Sequence, residues 1–154
     1  YLTGTYVRDK DAVDPSFMVR EMFAYYKTRG ISLLDKLNEL FDTFGFCKNT
    51  LHSYTFEGSA GFDKMKDIMK DFHKGLDSIG GMKVVKTLDY SKGIDGLPKS
   101  DVLKFLLENN CSVVVRPSGT EPKLKAYISI SSSDEAAADK LEAAVADELA
   151  VRFK

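Results

Sequence analysis

The sequence predicts an α+β fold, an antiparallel sheet with helices packed on one face. Three observations carry this. Short runs rich in aromatic and β-branched residues follow one another closely, at 82–90, 102–107, 111–115 and 124–130, so hairpins dominate. In the last of them Leu124, Ala126, Ile128 and Ile130 alternate with Lys125, Tyr127 and Ser129, the period of a half-buried strand. Two helical stripes bracket these runs, Phe62, Met65, Met69, Phe72 and Leu76 before them and Leu141, Val145 and Leu149 after them.

Taken in order, Asp14-Pro15 predicts a helix start, a capping side chain followed by proline at the first helical position. Met18, Met22 and Tyr26 then share one face, and Gly30 suits the stop. Ser32 and Asp35 have the spacing of a capping box, and Leu33, Leu37, Leu40, Phe41 and Phe44 follow at helical spacing up to Gly45. These two amphipathic helices need a partner surface. Residues 46–57 lose the helical period and suit a linker feeding a strand. A helix returns from Ser59, and Gly80-Gly81 is expected to stop it. Leu103, Phe105 and Leu107 fall on one face of the next strand but one, and Asn109-Asn110 suits a tight turn because Asn tolerates positive φ. Ser133 opens the last helix, with Asp134 and Glu135 where negative charge favours the dipole.

The 154 residues are 44% hydrophobic and 29% charged, which supports a globular core and argues against disorder. The formal net charge of -1 shows no basic excess of the kind that holds a nucleic-acid backbone, so no nucleic-acid partner is expected. A local basic patch from Arg116, Lys123 and Lys125 stays open. No apolar run approaches the roughly 20 residues of a membrane span, so no membrane partner is expected either. Cys47 and Cys111 have neither metal-ligand spacing nor the number a disulfide framework needs, and read as reduced thiols of a cytoplasmic protein. His52 and His73 are far apart and read as surface or half-buried residues without partners at ligand spacing.

The densest polar chemistry is R-P-S-G-T-E-P-K, residues 116–123. It lies between two strand-like runs, so its groups are presented together at a sheet edge. Arg116 can grip a phosphate with two parallel N–H donors. Ser118 and Thr120 add hydroxyls, and Gly119 lets backbone N–H groups approach an anion. The same residue types also make ordinary turns. In the other charged segment, R-D-K-D-A-V-D from Arg8, the signs alternate as on a solvated surface.

R-P-S-G-T-E-P-K followed by L-K-A-Y resembles the phosphate-binding loop in the last domain of the α-D-phosphohexomutases, the phosphoglucomutase and phosphomannomutase family. Y-L-T-G-T-Y-V-R-D-K-D-A-V, residues 1–13, resembles the segment after the sugar-binding loop of that family's third domain. The two matches stand in the family's order over essentially the whole chain. The resemblance implies that residues 1–45 are the carboxy-terminal tail of a truncated third domain. It implies that residues 46–154 are the fourth, phosphate-binding domain, with a TATA-binding-protein-like four-stranded antiparallel sheet and helices on one face. Chain start at Tyr1 fits the same expectation, a carboxy-terminal part of a longer protein.

The family interconverts hexose 1-phosphates and hexose 6-phosphates through a bisphosphate intermediate of the glucose 1,6-bisphosphate type. A phosphoserine in its first domain transfers the phosphoryl group, and Mg²⁺ held by a second-domain D-x-D-x-D loop assists. The resemblance implies that Arg116, Ser118, Gly119 and Thr120 grip the phosphate that is not reacting, with Lys123 and Lys125 as further contacts. Lysine offers there a point charge where an arginine offers a planar fork. Glu121 is assigned a role in shaping the loop. Lys10 is the candidate for proton transfer or phosphate contact, and Arg8 for substrate binding. The partners implied are hexose phosphates and the amino-terminal domains of the same protein. No D-x-D-x-D occurs in the sequence and no serine has the catalytic context, so no Mg²⁺ site and no catalysis by this segment alone are expected. Glucose against mannose preference is not encoded here. The alternative is a non-enzymatic α+β module whose Arg116 loop holds an anion or RNA phosphate.

Overall fold

The computed structural model describes residues 11–119 and 121–154. Arg8, Lys10 and Thr120, candidates from the sequence, lie outside the described residues. The chain divides into two compact units, Tyr1–Phe44 and Gly45–Lys154.

The first unit contains helices α1 (Val13–Lys27) and α2 (Leu33–Phe44). α1 starts two residues before Pro15, so Asp14 lies inside its first turn, and Asp11 Oδ1 accepts from the Val13 N–H at 2.9 Å. The capping box before α2 forms as expected. The Asp35 N–H donates to Ser32 Oγ at 3.0 Å, and Asp35 Oδ2 accepts from the Ser32 N–H at 3.0 Å. No described residue of either helix is buried.

The second unit is α+β. Its strands are β1 (Phe46–Thr55), β2 (Ser78–Ile79), β3 (Met82–Asp89), β4 (Leu103–Leu107), β5 (Ser112–Pro117) and β6 (Lys123–Ser132). They form one antiparallel sheet in the order β1-β6-β5-β4-β3-β2. The sheet is wider than the four strands expected. The stretch 46–57, expected as a linker feeding a strand, is strand from Phe46 to Thr55, and Cys47 to Ser53 pair residue by residue with Ser131 to Lys125. β2 is the second addition. Gly80 and Gly81 do not end a helix; they are the two-residue turn of the β2–β3 hairpin, with φ of +60° and +77°. Such turns demand positive φ at both positions, which glycine adopts without steric cost.

The helices α3 (Gly58–His73) and α4 (Glu135–Arg152) cover one face of the sheet. α3 stops at His73, followed by Gly75 at φ +92°, seven residues short of where the sequence suggested. Met65, Ile68, Met69 and Phe72 are its buried side chains; Phe62, assigned to the same stripe, is 46% exposed. α4 buries Ala138, Val145 and Leu149. Its cap is Asp134, one residue after Ser133, with Oδ1 accepting from the Ala137 N–H at 2.8 Å. Against these helices stand Leu103, Phe105, Leu107, Val113, Val115, Leu124, Ala126, Ile128 and Ile130, all buried. Full burial of each large side chain contributes roughly 1.5–3 kcal/mol. β1 joins α4 through polar groups: Lys48 bonds Asp139, and Thr50 Oγ1 and His52 Nε2 each lie 2.7 Å from Glu142 Oε1. Hydrogen bonding by Thr50 and His52 holds the Glu142 carboxyl below its usual range, against the opposing effect of burial. Both cysteines are free, Cys47 exposed and Cys111 buried.

Candidate functional site

β5 and β6 deliver the Arg116 loop. Arg116 and Pro117 close β5, Lys123 opens β6, and the Ser118 N–H donates to the Lys123 carbonyl at 2.7 Å. The Lys123 N–H donates in turn to the Glu121 carbonyl at 2.7 Å. This tight closure fits the cluster of Pro, Ser and Gly in the sequence. Gly119 is exposed with open space where a Cβ would stand.

Strand alternation sorts the candidates onto two faces. Val113 and Val115 point to the core, so Arg116 belongs to the open face of the sheet, directly opposite Lys125 on β6. Arg116 is exposed and makes no ion pair with a described residue. Lys123 is committed instead to Glu121, Nζ to Oε1 at 2.8 Å, and that contact holds the Glu121 carboxyl below its usual range. The strand positions of the open face from β3 to β1, with Lys86, Lys104, Arg116, Lys123 and Lys125 among them, include no carboxylate.

Pro117, Ser118 and Gly119 turn the other way. They wall a groove of about 330 Å³ whose other sides are α3 and Asp101. Met65 and Met69 form its floor. Phe62 stands at its side with Lys66 Nζ 4.4 Å from the ring centroid. Asp101 Oδ1 lies 3.1 Å from His73 Nε2, and His73 Nδ1 lies 3.4 Å from Asp89 Oδ2. His73 therefore has carboxylate partners, as His52 has in Glu142; the fold brings them from residues far away in the sequence, which ligand spacing could not reveal. The Ser91 hydroxyl, then Lys92, the Ser91 N–H and His73, hold the Asp89 carboxyl down at about 2 against the opposing effect of burial.

Sequence reasoning missed Phe62, Lys66, Asp101 and His73 as neighbours of the loop. Phe62 and Lys66 carried a signal of sorts, since they occupy the first turns of the helix whose core stripe was recognised. Asp101 and His73 carried none. Among the described residues no group of three or more His, Cys, Asp or Glu side chains is placed to hold a metal ion. No helix of the described residues is long and apolar enough to cross a membrane.

The fold and loop define a domain of a known kind. The family model for the phosphoglucomutase/phosphomannomutase C-terminal domain matches residues 57–148, and the chain belongs to that family. Among its relatives is a phosphoglucomutase of Staphylococcus saprophyticus, 34% identical over 142 residues, covering 84% of this chain and 26% of the relative. A phosphoglucomutase of Staphylococcus aureus is 35% identical over 147 residues, covering 87% and 26%. The chain thus spans about a quarter of the length of these curated relatives. The crystal structure of the exocytosis-sensitive phosphoprotein pp63/parafusin from Paramecium, in its open form, superposes with a TM-score of 0.59 at 18% identity. That match covers 96% of this chain and 27% of parafusin, and shows the shared fold.

Proposed function

We propose that this chain is the carboxy-terminal part of a phosphohexomutase that interconverts hexose 1-phosphate and hexose 6-phosphate. Its Arg116 loop holds the phosphate that is not reacting. The observation that carries the reading is the Arg116–Lys125 pair. Two cations directly opposite each other on neighbouring strands repel, and like-charged cross-strand pairs cost stability. A dianion at the mouth of the loop converts that cost into attraction, with the Arg116 fork and the Lys125 point charge on one side. The loop between them carries the hydroxyls of Ser118 and Thr120 and the exposed glycine Gly119. Lys123, tied to Glu121, contributes less.

The transfer step belongs to other parts of the longer protein. A serine nucleophile and Mg²⁺ bound by carboxylates would supply it, and the bisphosphate intermediate would turn between that centre and this loop. Lys10 is proposed for proton transfer or phosphate contact and Arg8 for substrate contact. The protein would act in the cytoplasm.

NMR titration of this chain with glucose 6-phosphate tests the phosphate reading. Shifts centred on Arg116, Ser118, Gly119 and Lys125, lost in Arg116→Ala, are expected. An oligonucleotide that binds the same residues more tightly than the sugar phosphate would overturn the reading in favour of an RNA-binding module.

A further inference from the structure

The connection between β3 and β4 is closed at its base and open at its tip. At the base the Tyr90 N–H donates to the Val102 carbonyl at 3.0 Å, and the Ser100 N–H to the Tyr90 carbonyl at 3.2 Å. His73 lies between the two ends, with Asp89 Oδ2 3.4 Å from Nδ1 and Asp101 Oδ1 3.1 Å from Nε2. At the tip a β-turn from Ile94 to Leu97 is closed by one bond, from the Leu97 N–H to the Ile94 carbonyl at 2.9 Å. Its central residues are Asp95 and Gly96, with φ of +53° and +73°, a hand of turn that favours Asp-Gly. Both are exposed, and Gly96 has open space where a Cβ would stand. Among the described residues the Asp95 carboxylate has no hydrogen bond or ion pair, and the Gly96 N–H has no acceptor. Asp95 is also the only aspartate of the sequence that glycine follows.

We propose that Asp95-Gly96 is a site of spontaneous aspartate isomerisation, contained at the tip by the closed base below it. The Gly96 nitrogen attacks Asp95 Cγ. An N–Cγ bond forms, the Cγ–OH bond breaks, and the hydroxyl leaves as water with the amide proton. The product is a succinimide ring, to which water adds at one of the two carbonyls. Opening at Cγ restores aspartate. Opening at the backbone carbonyl breaks its bond to the Gly96 nitrogen, so the chain then runs through Cβ and Cγ and the α-carboxylate is free. One water is lost and one regained, and no other reactant is needed. The missing Cβ of Gly96 leaves the attacking nitrogen uncrowded, and its free N–H has no bond to give up. The left-handed conformation is unfavourable for Asp95, and a single hydrogen bond holds the turn, so little opposes its rearrangement. The aspartates within α2, α3 and α4 precede N–H groups that the helix ladder holds. The extra backbone methylene of the product stays at the tip, because Tyr90 and His73 pin both ends.

Incubation of the native chain in oxygen-18 water tests this, with the free peptide Gly93–Lys99 in the same buffer as the clock. When half of the peptide has isomerised, the chain is digested with trypsin in ordinary water and its peptides are weighed. Asp95 is expected to be the first aspartate of the native chain to take up a heavy oxygen, in a peptide of altered retention. Asp95→Glu should abolish the label there, since the longer side chain closes a larger ring. Gly96→Asn keeps a residue that tolerates positive φ but adds a Cβ, and should slow the uptake several-fold. Uptake should be faster in mild acid than at neutral pH, where carboxyls are mostly ionised, because the hydroxyl leaves only from the neutral acid. The converted chain should melt as the fresh one does. An unlabelled Asp95 when the peptide is half converted would show that the turn protects it and would overturn the proposal, as would another aspartate labelled first. A lowered melting temperature after conversion would overturn the containment at the tip.

Discussion

Arg116 and Lys125 set two demands against each other. Their cross-strand repulsion weakens the unliganded sheet, while the same concentration of charge suits an anion. Arg116→Ala is therefore expected to raise the stability of the free chain slightly, by about 0.2–1 kcal/mol. It should also abolish the rise in melting temperature that millimolar phosphate gives wild type. Thermal melts with and without phosphate check both signs, and a variant that is destabilised when free contradicts the account. Asp89 supplies a second test. Its carboxyl is depressed from 3.8 to about 2 in the folded chain. A depressed carboxyl contributes stability that is complete above the unfolded value, near 4, and is lost as pH falls through the folded one. Urea midpoints should fall between pH 4 and pH 2 more steeply in wild type than in Asp89→Asn. Equal slopes would show that the Ser91, Lys92 and His73 contacts do not hold this carboxylate in solution.

The turns decide how far the elements were legible. Asn109 and Asn110 have φ of +57° and +59° between β4 and β5, where the sequence placed a tight turn, and the Leu107 N–H reaches the Cys111 carbonyl at 2.9 Å. Asn110→Gly should hold or raise the melting temperature. Asn110→Val, a β-branched residue in the left-handed region, should cost about 1–2 kcal/mol. A neutral valine would mean that the turn relaxes. Gly80-Gly81 carries the same kind of signal, but in the sequence the stripe Phe62 to Leu76 runs on towards it and makes it read as a helix stop. The stripe ends at Phe72, since Gly75 intervenes and the chain turns back into β2. Period and turn chemistry thus fixed strands β4 and β6 and the capping box well. They failed where two stop signals competed. β1 was only half legible: its even positions meet polar groups of α4, so its burial alternates without an apolar alternation to read. Around the candidate site, the Pro, Ser and Gly of residues 116–123 marked a turn between two strands, and β5 and β6 do flank it, whereas Asp101 and His73 come together only through the fold.

At the scale of the whole chain, a net charge of -1 conceals a separation. α4 carries Glu135, Asp139, Glu142, Asp147 and Glu148, and the opposite sheet face carries the cations around Arg116. An argument from net charge alone cannot detect such a face. The division into Tyr1–Phe44 and Gly45–Lys154 leads to the last prediction. The second unit owns the continuous core from Phe56 to Phe153, whereas α1 and α2 bury none of their described side chains. Isolated short helices are marginal in water, since nucleation is costly and stability comes from packing. Residues 45–154 alone should therefore melt cooperatively with near-native ellipticity, and residues 1–44 alone should show weak helicity and no cooperative transition. Residues 46–57 read from the sequence as a linker feeding a strand, but Cys47 to Ser53 are already hydrogen-bonded along β6. The first cut of limited proteolysis is accordingly expected beside Gly45, at the boundary of the two units, with Cys47 to Ser53 protected. Early cleavage inside Cys47 to Ser53 would show that β1 detaches from the sheet in solution.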